Sequence, residues 1–149
     1  MANYFSAGIA AVPFLADEDM SVRWQYRLVM AASTVGSVQK FDILDTAACP
    51  RYPLGVLQND PSAGQEASVK MIGFSKVVGQ IGGCDLRQGA ILIASNAGQL
   101  MAASHDKDDR TYGVWLGPTV TSGSAYGNAL VNFSLAHTGS SLQLLNTTN

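Results

Sequence analysis

Charge is scarce in this chain. Lys, Arg, Asp and Glu make up 13% of its 149 residues, about half the roughly 25% of an ordinary globular domain. An outside so poor in solvated side chains suits a protein whose surface is partly covered by partners. There is no basic surplus either: nine Lys and Arg stand against eleven Asp and Glu, for a net charge of −2. No three basic residues cluster, so long-range attraction to nucleic-acid phosphates is not expected. The two cysteines, Cys49 and Cys84, are too few for a disulfide framework and too far apart for a CxxC motif, so two reduced, half-buried thiols are expected. The apolar run over residues 7–16 is interrupted by Pro13 and has no basic segment before it. It is a poor signal peptide and too short to cross a bilayer. No membrane partner is expected, and a reducing cytosol is the expected place of synthesis.

The elements of catalysis are equally thin. Of the two histidines, His137 follows a predicted strand, and His105 stands beside Asp106, Asp108 and Asp109. That cluster fails the EF-hand pattern, because Arg110 and Thr111 fall where an oxygen ligand and the glycine are needed. There is no GxSxG elbow and no Gly-Lys-Ser/Thr phosphate loop. The glycines at 79, 82 and 83 lack dinucleotide spacing. Asp42 and Asp45 are an unremarkable acidic pair that gives no support to glycosidase chemistry. No enzyme activity, cofactor or metal is expected.

What is present is β structure. Short apolar runs at 27–31, 41–44, 54–57, 67–72, 75–79, 90–94, 99–103, 112–116 and 129–135 read as strands. Turn chemistry separates them: Pro-Ser-Ala-Gly at 61–64, Gly-Gly at 82–83, Asn-Ala-Gly at 96–98 and Thr-Ser-Gly-Ser at 121–124. Strands at this spacing predict an all-β protein, a small β-barrel or β-sandwich. One short helix is allowed over 35–40 or after Ser104. Residues 1–20 read as an extended N-terminal arm, residues 21–137 as the β-domain and residues 138–149 as a polar tail. The arm has no clear period, yet it carries Tyr4, Phe5, Phe14 and Leu15. Disordered segments are usually poor in such residues, so these four are candidate interface residues that order against a neighbouring subunit.

The chain also repeats itself. Tyr26-Arg-Leu-Val-Met matches Phe74-Ser-Lys-Val-Val, and Leu54-Gly-Val-Leu matches Tyr112-Gly-Val-Trp. Gly55 then aligns with Gly113 and Val69 with Val131, giving pseudo-repeated halves at 26–72 and 74–135. Two copies are too few for a solenoid but suffice for two halves of a pseudo-symmetric barrel or sandwich.

From Tyr26 to Leu135 the chain resembles the bacteriophage capsid-cement, or head-decoration, family. The resemblance rests on the segment LGVLQNDPSAGQEASVKMIG at 54–73, on Phe74-Ser-Lys-Val-Val, on the Gly-Ala pair within 86–92, on the turn Ala97-Gly98 and on the second Gly-Val segment at 112–116. It implies a structural virion protein that binds the outer capsid surface and stabilises the mature shell. Its implied partners are the major capsid protein and itself, as a homotrimer. Two other readings share the composition: a tail or head–tail connector subunit, and a small ligand- or carbohydrate-binding β-barrel with Trp24, Trp115, Tyr112 or Tyr126 lining its pocket.

Overall fold

The computed structural model describes residues 11–43, 52–103 and 110–133 and the strand His137–Thr138. They form two closed five-stranded β-barrels in sequence, and no α-helix occurs among them. The first barrel consists of β1 (Val12–Ala16), β2 (Leu28–Ala31), β3 (Ser37–Lys40), β4 (Gly55–Leu57) and β5 (Glu66–Lys70). The second consists of β6 (Ile72–Gln80), β7 (Ile91–Ala94), β8 (Leu100–Ala102), β9 (Arg110–Trp115) and β10 (Ser124–Asn132), and a two-residue strand, β11 (His137–Thr138), extends β9. The all-β expectation with pseudo-repeated halves holds.

Alternation decides which side of each strand faces inward. In β5, Ala67 and Val69 are buried while Glu66 is exposed. With Ala16, Met20, Val29, Val38 and Leu57 they fill the first barrel. The second barrel closes around Trp115, Leu92, Leu100, Val77, Ala129 and Val131. Met71, between β5 and β6, packs against both clusters. Closure leaves neither barrel with an open sheet edge, the feature through which β-proteins aggregate.

The two barrels are built alike, strand by strand. The order β1-β3-β2-β4-β5 in the first recurs as β6-β8-β7-β9-β10 in the second. In each, the first strand runs parallel to the third, and the other four neighbours are antiparallel. The residue register repeats as well. Ala16 faces Val38 as Gly79 faces Leu100; Val29 faces Gly55 as Leu92 faces Gly113; Val56 faces Lys70 as Val114 faces Leu130. Gly55 and Gly113 share a physical reason. A Cβ on Gly55 would stand 2.6 Å from the Lys70 carbonyl oxygen, and one on Gly113 would collide with the carbonyl oxygen of Leu130, the residue equivalent to Lys70.

Several sequence expectations need correction. Within the arm read over 1–20, Val12–Ala16 is instead the strand β1, held by β3 on one side and β5 on the other, and residues 1–10 lie outside the described residues. Pro13 is tolerated because the pairing to β3 covers only Leu15 and Ala16, so Pro13 has a strand neighbour on the β5 side alone. The helix allowed over 35–40 is instead a turn followed by β3, and residues 41–43 are not a strand. The counterpart of β2 is β7, so the match of Tyr26-Arg-Leu-Val-Met with the Phe74 segment is out of place: that segment lies in β6, the counterpart of β1. The equivalent of Val69 is Ala129, two residues from the Val131 read from sequence; a slip of two keeps the same face of the strand.

Candidate docking surface

The two barrels meet on the outer face of β2 and β4. Leu28, Met30 and Val56 alternate with the inward residues Val29 and Leu57, so they point away from the first barrel's interior. Yet Leu28 and Val56 are 0% exposed, because they belong to the same apolar cluster as the core of the second barrel. The turn Asn96–Gly98 between β7 and β8 seats on the start of β2. Gly98, with φ of +66°, comes so close that a Cβ would stand 3.0 Å from the backbone nitrogen and oxygen of Leu28. The Arg27 guanidinium donates to the Ala97 carbonyl at 2.7 Å, and the Gln58 side-chain amide donates to the Ser75 hydroxyl at 2.9 Å. The Lys76 ammonium lies 5.4 Å from the Tyr26 ring and 5.5 Å from the Tyr126 ring. Those two rings meet edge to face at 6.3 Å, a charge–aromatic clasp across the two barrels.

The equivalent face of the second barrel is partly exposed. Ile91 of β7, Val114 of β9, Leu130 of β10 and Phe74 of β6 are successive cross-strand partners. They form one outward row over four strands, about 14 Å long at ordinary strand spacing. Ile91 is 46% exposed, Leu130 44% and Phe74 41%, and Val114 is half-buried. Leu116 beside Val114 and Ile72 beside Phe74 widen the row. Beside it lies an open groove of about 340 Å³ lined by Phe74, Ser75, Lys76, Leu116 and Asn128. A continuous apolar row of this kind, rimmed by polar groups, marks a contact surface.

The residues singled out from sequence fall elsewhere. Phe14 packs half-buried against the first barrel's core, while Leu15, on the opposite side of β1, is 53% exposed. Tyr4 and Phe5 lie outside the described residues, as do Cys49, Asp45 and the His105 cluster. Cys84 is a free thiol and is exposed, not half-buried as expected. Among the described residues no group of three or more His, Cys, Asp or Glu could hold a metal ion. The four aromatics of the carbohydrate-pocket reading do not converge. Trp115 and Tyr112 are buried in the second barrel, Trp24 turns its indole N–H to the Leu28 carbonyl at 2.9 Å, and Tyr126 pairs with Tyr26. The row was not singled out from sequence, although Ile91, Val114 and Leu130 had been placed in strands and Phe74 had been left between two of them. The signal available was the uninterrupted apolar character of Ile91–Ala94, where a half-exposed strand should alternate.

Tyr112 also gives the core a pH dependence. Stacked on Phe133 at 4.9 Å, it has its pKa raised from 10.0 to about 12, chiefly by burial, which penalises the phenolate. The protonated folded form is therefore favoured, and its contribution is intact below pH 10. That contribution disappears as pH rises from 10 to about 12, at a cost of order 2–3 kcal/mol. Urea unfolding at pH 9 and pH 11.5 should show a smaller loss of stability for Tyr112→Phe than for the wild type. Equal losses would place the alkaline sensitivity elsewhere.

No protein-family model matches the chain, and no curated protein matches it. Among solved structures it is similar to the head fiber gp8.5 N base of bacteriophage phi29, with a TM-score of 0.50, 15% sequence identity, and 85% of this chain and 96% of that chain covered. The likeness is one of fold.

Proposed function

We propose that this protein is a structural component of a bacteriophage head, carried on the outer surface of the capsid. The observation that supports this most is the fold likeness to a head fiber base over nearly the whole of both chains. The architecture agrees with a passive, load-bearing role. Both barrels are filled by side chains, and the described polar groups make no convergent reactive site. In this reading the protein binds the major capsid protein, associates with itself as a homotrimer, and stabilises the mature shell by binding it in preference to other states. Many identical weak contacts add up to a large effect on a lattice. It is made in the host cytoplasm and acts without a cofactor.

A second reading, a fibre base and not a cement, is favoured by the same structural neighbour. Copy number separates the two: hundreds per particle for a cement, far fewer for a fibre base. The test is to mix the purified protein with expanded shells that lack it, pellet the shells, and image them by cryo-electron microscopy. Density at fixed lattice positions, together with later DNA release on heating, is the expected result. Shells that stay bare at saturating protein would refute the proposal. Deleting residues 2–10, which carry Tyr4 and Phe5, is expected to weaken attachment while leaving every described strand in place; undiminished attachment would exclude those two residues from the shell contact.

A further inference from the structure

The barrel repeat makes one contact of this chain predictable from another. Inside the chain, the β7–β8 turn of the second barrel seats against Arg27 and Leu28 at the start of β2 of the first, beside the buried Val56 of β4. Each half of that contact has a counterpart left over. The face equivalent to Leu28 and Val56 is the one around Ile91 and Val114, where Ile91 is 46% exposed and Val114 half-buried. The turn equivalent to Asn96–Gly98 is the β2–β3 turn, in which Gly36, with φ of +79°, takes the place of Gly98 and Val35 takes the place of Ala97. Val35 is 99% exposed, the fullest exposure of any large apolar residue described, at the tip of a turn whose Gly36 carbonyl accepts from Leu15 of β1.

We propose that the β2–β3 turn of one copy seats on the β7–β9 face of a second copy, repeating between chains the contact that joins the barrels within the chain. The side chains complement each other in size. In the internal contact a large residue, Arg27, faces a small tip, Ala97; in the external one the position of Arg27 is taken by the small, half-buried Ala90, and the tip is the larger Val35. The charge-assisted bond from Arg27 to the Ala97 carbonyl has no counterpart, so the external contact is apolar and reversible. It joins unlike surfaces and so runs head to tail. Closed by rotation, it makes a ring; three copies would set six barrels around one axis. The inference rests on the repeat and not on the reading of the protein as part of a phage head.

The test is sedimentation velocity on the full chain over a concentration series, with Val35→Asp and Ile91→Asp. Both positions are exposed, and unchanged thermal melts will establish that the variants fold. The wild type is expected to sediment as a discrete oligomer. Each variant alone is expected to be monomeric, with self-association weaker by about tenfold or more, as for loss of a central apolar contact. An equimolar mixture of the two should recover a dimer and nothing larger, because it contains one intact turn–face pairing. A monomeric wild type, variants that assemble normally, or a mixture that stays monomeric would each overturn the proposal. So would an oligomer that dissociates on deletion of residues 2–10 but survives Val35→Asp, since the row would then hold the N-terminal segment. Shell binding is scored separately, so failure of ring formation and failure of capsid attachment are distinguishable.

Discussion

Deleting residues 2–19 is expected to unfold the first barrel, whereas deleting residues 2–10 leaves it folded. The longer deletion removes β1, and with it the closure between β3 and β5. The backbone bonds from Leu15 to the Gly36 carbonyl (3.0 Å), from Ala16 to Gln65 (2.8 Å) and from Asp17 to Val38 (2.9 Å) go with it. Ala16 and half of Phe14 leave the core. Met20, fully buried, loses the lead-in segment that holds it in place. Filling by Met20 alone is worth about 1.5–3 kcal/mol, and two newly opened strand edges invite aggregation. Set against a total stability of roughly 5–15 kcal/mol, the loss should abolish cooperative folding of that half. Urea unfolding monitored at Trp24, which sits against that core, is the measurement. A truncated 20–149 chain that unfolds with the wild-type midpoint would show that β1 is not needed for barrel closure.

Trp115→Ala is expected to cost about 3–5 kcal/mol, the range for deleting a buried tryptophan. Its side chain is 0% exposed, and its indole N–H donates to the Pro118 carbonyl at 2.8 Å. Three glycines make room for the ring. A Cβ on Gly79 would stand 2.7 Å from Trp115 Cζ3, one on Gly117 2.7 Å from Cζ2, and one on Gly127 2.5 Å from Cζ2. Gly127→Ala should therefore destabilise from the opposite direction, by overpacking, at about 1–3 kcal/mol. In the double variant Trp115→Ala/Gly127→Ala the added methyl enters the cavity left by the ring, so the combined cost should fall below the sum of the singles. Thermal and urea unfolding check all three. A Trp115→Ala cost under about 1 kcal/mol, or strict additivity, would mean that the ring is not the centre of this core.

The strands that were legible in sequence are those with clean alternation or a short apolar run bounded by turn residues. β5 alternates cleanly, and β4, β7 and β9 carry short β-branched runs, so their positions could be read within a residue or two. β1 and β3 could not. β1 contains Pro13 and keeps no period, and β3 is Ser-Val-Gln-Lys, which has little strand propensity; both are strands because a ring of five must close through them. The aromatics were ambiguous for a similar reason. A tryptophan beside glycines reads equally well as a pocket wall or as a core ring, and only the approach of Gly79, Gly117 and Gly127 from three different segments decides for the core. The Gly55–Gly113 match was visible because a glycine forced by a neighbouring carbonyl recurs wherever the same ladder recurs.

The sequence by itself determined the all-β class and the repeat, since alternation, turn chemistry and required glycines act over a few residues. Only the tertiary structure decided that the halves are two separately closed barrels, and which of two equivalent faces is covered. Leu28 and Val56 are no more apolar than Ile91 and Val114. One pair is buried and the other partly exposed because the β7–β8 turn of the second barrel seats beside the first pair.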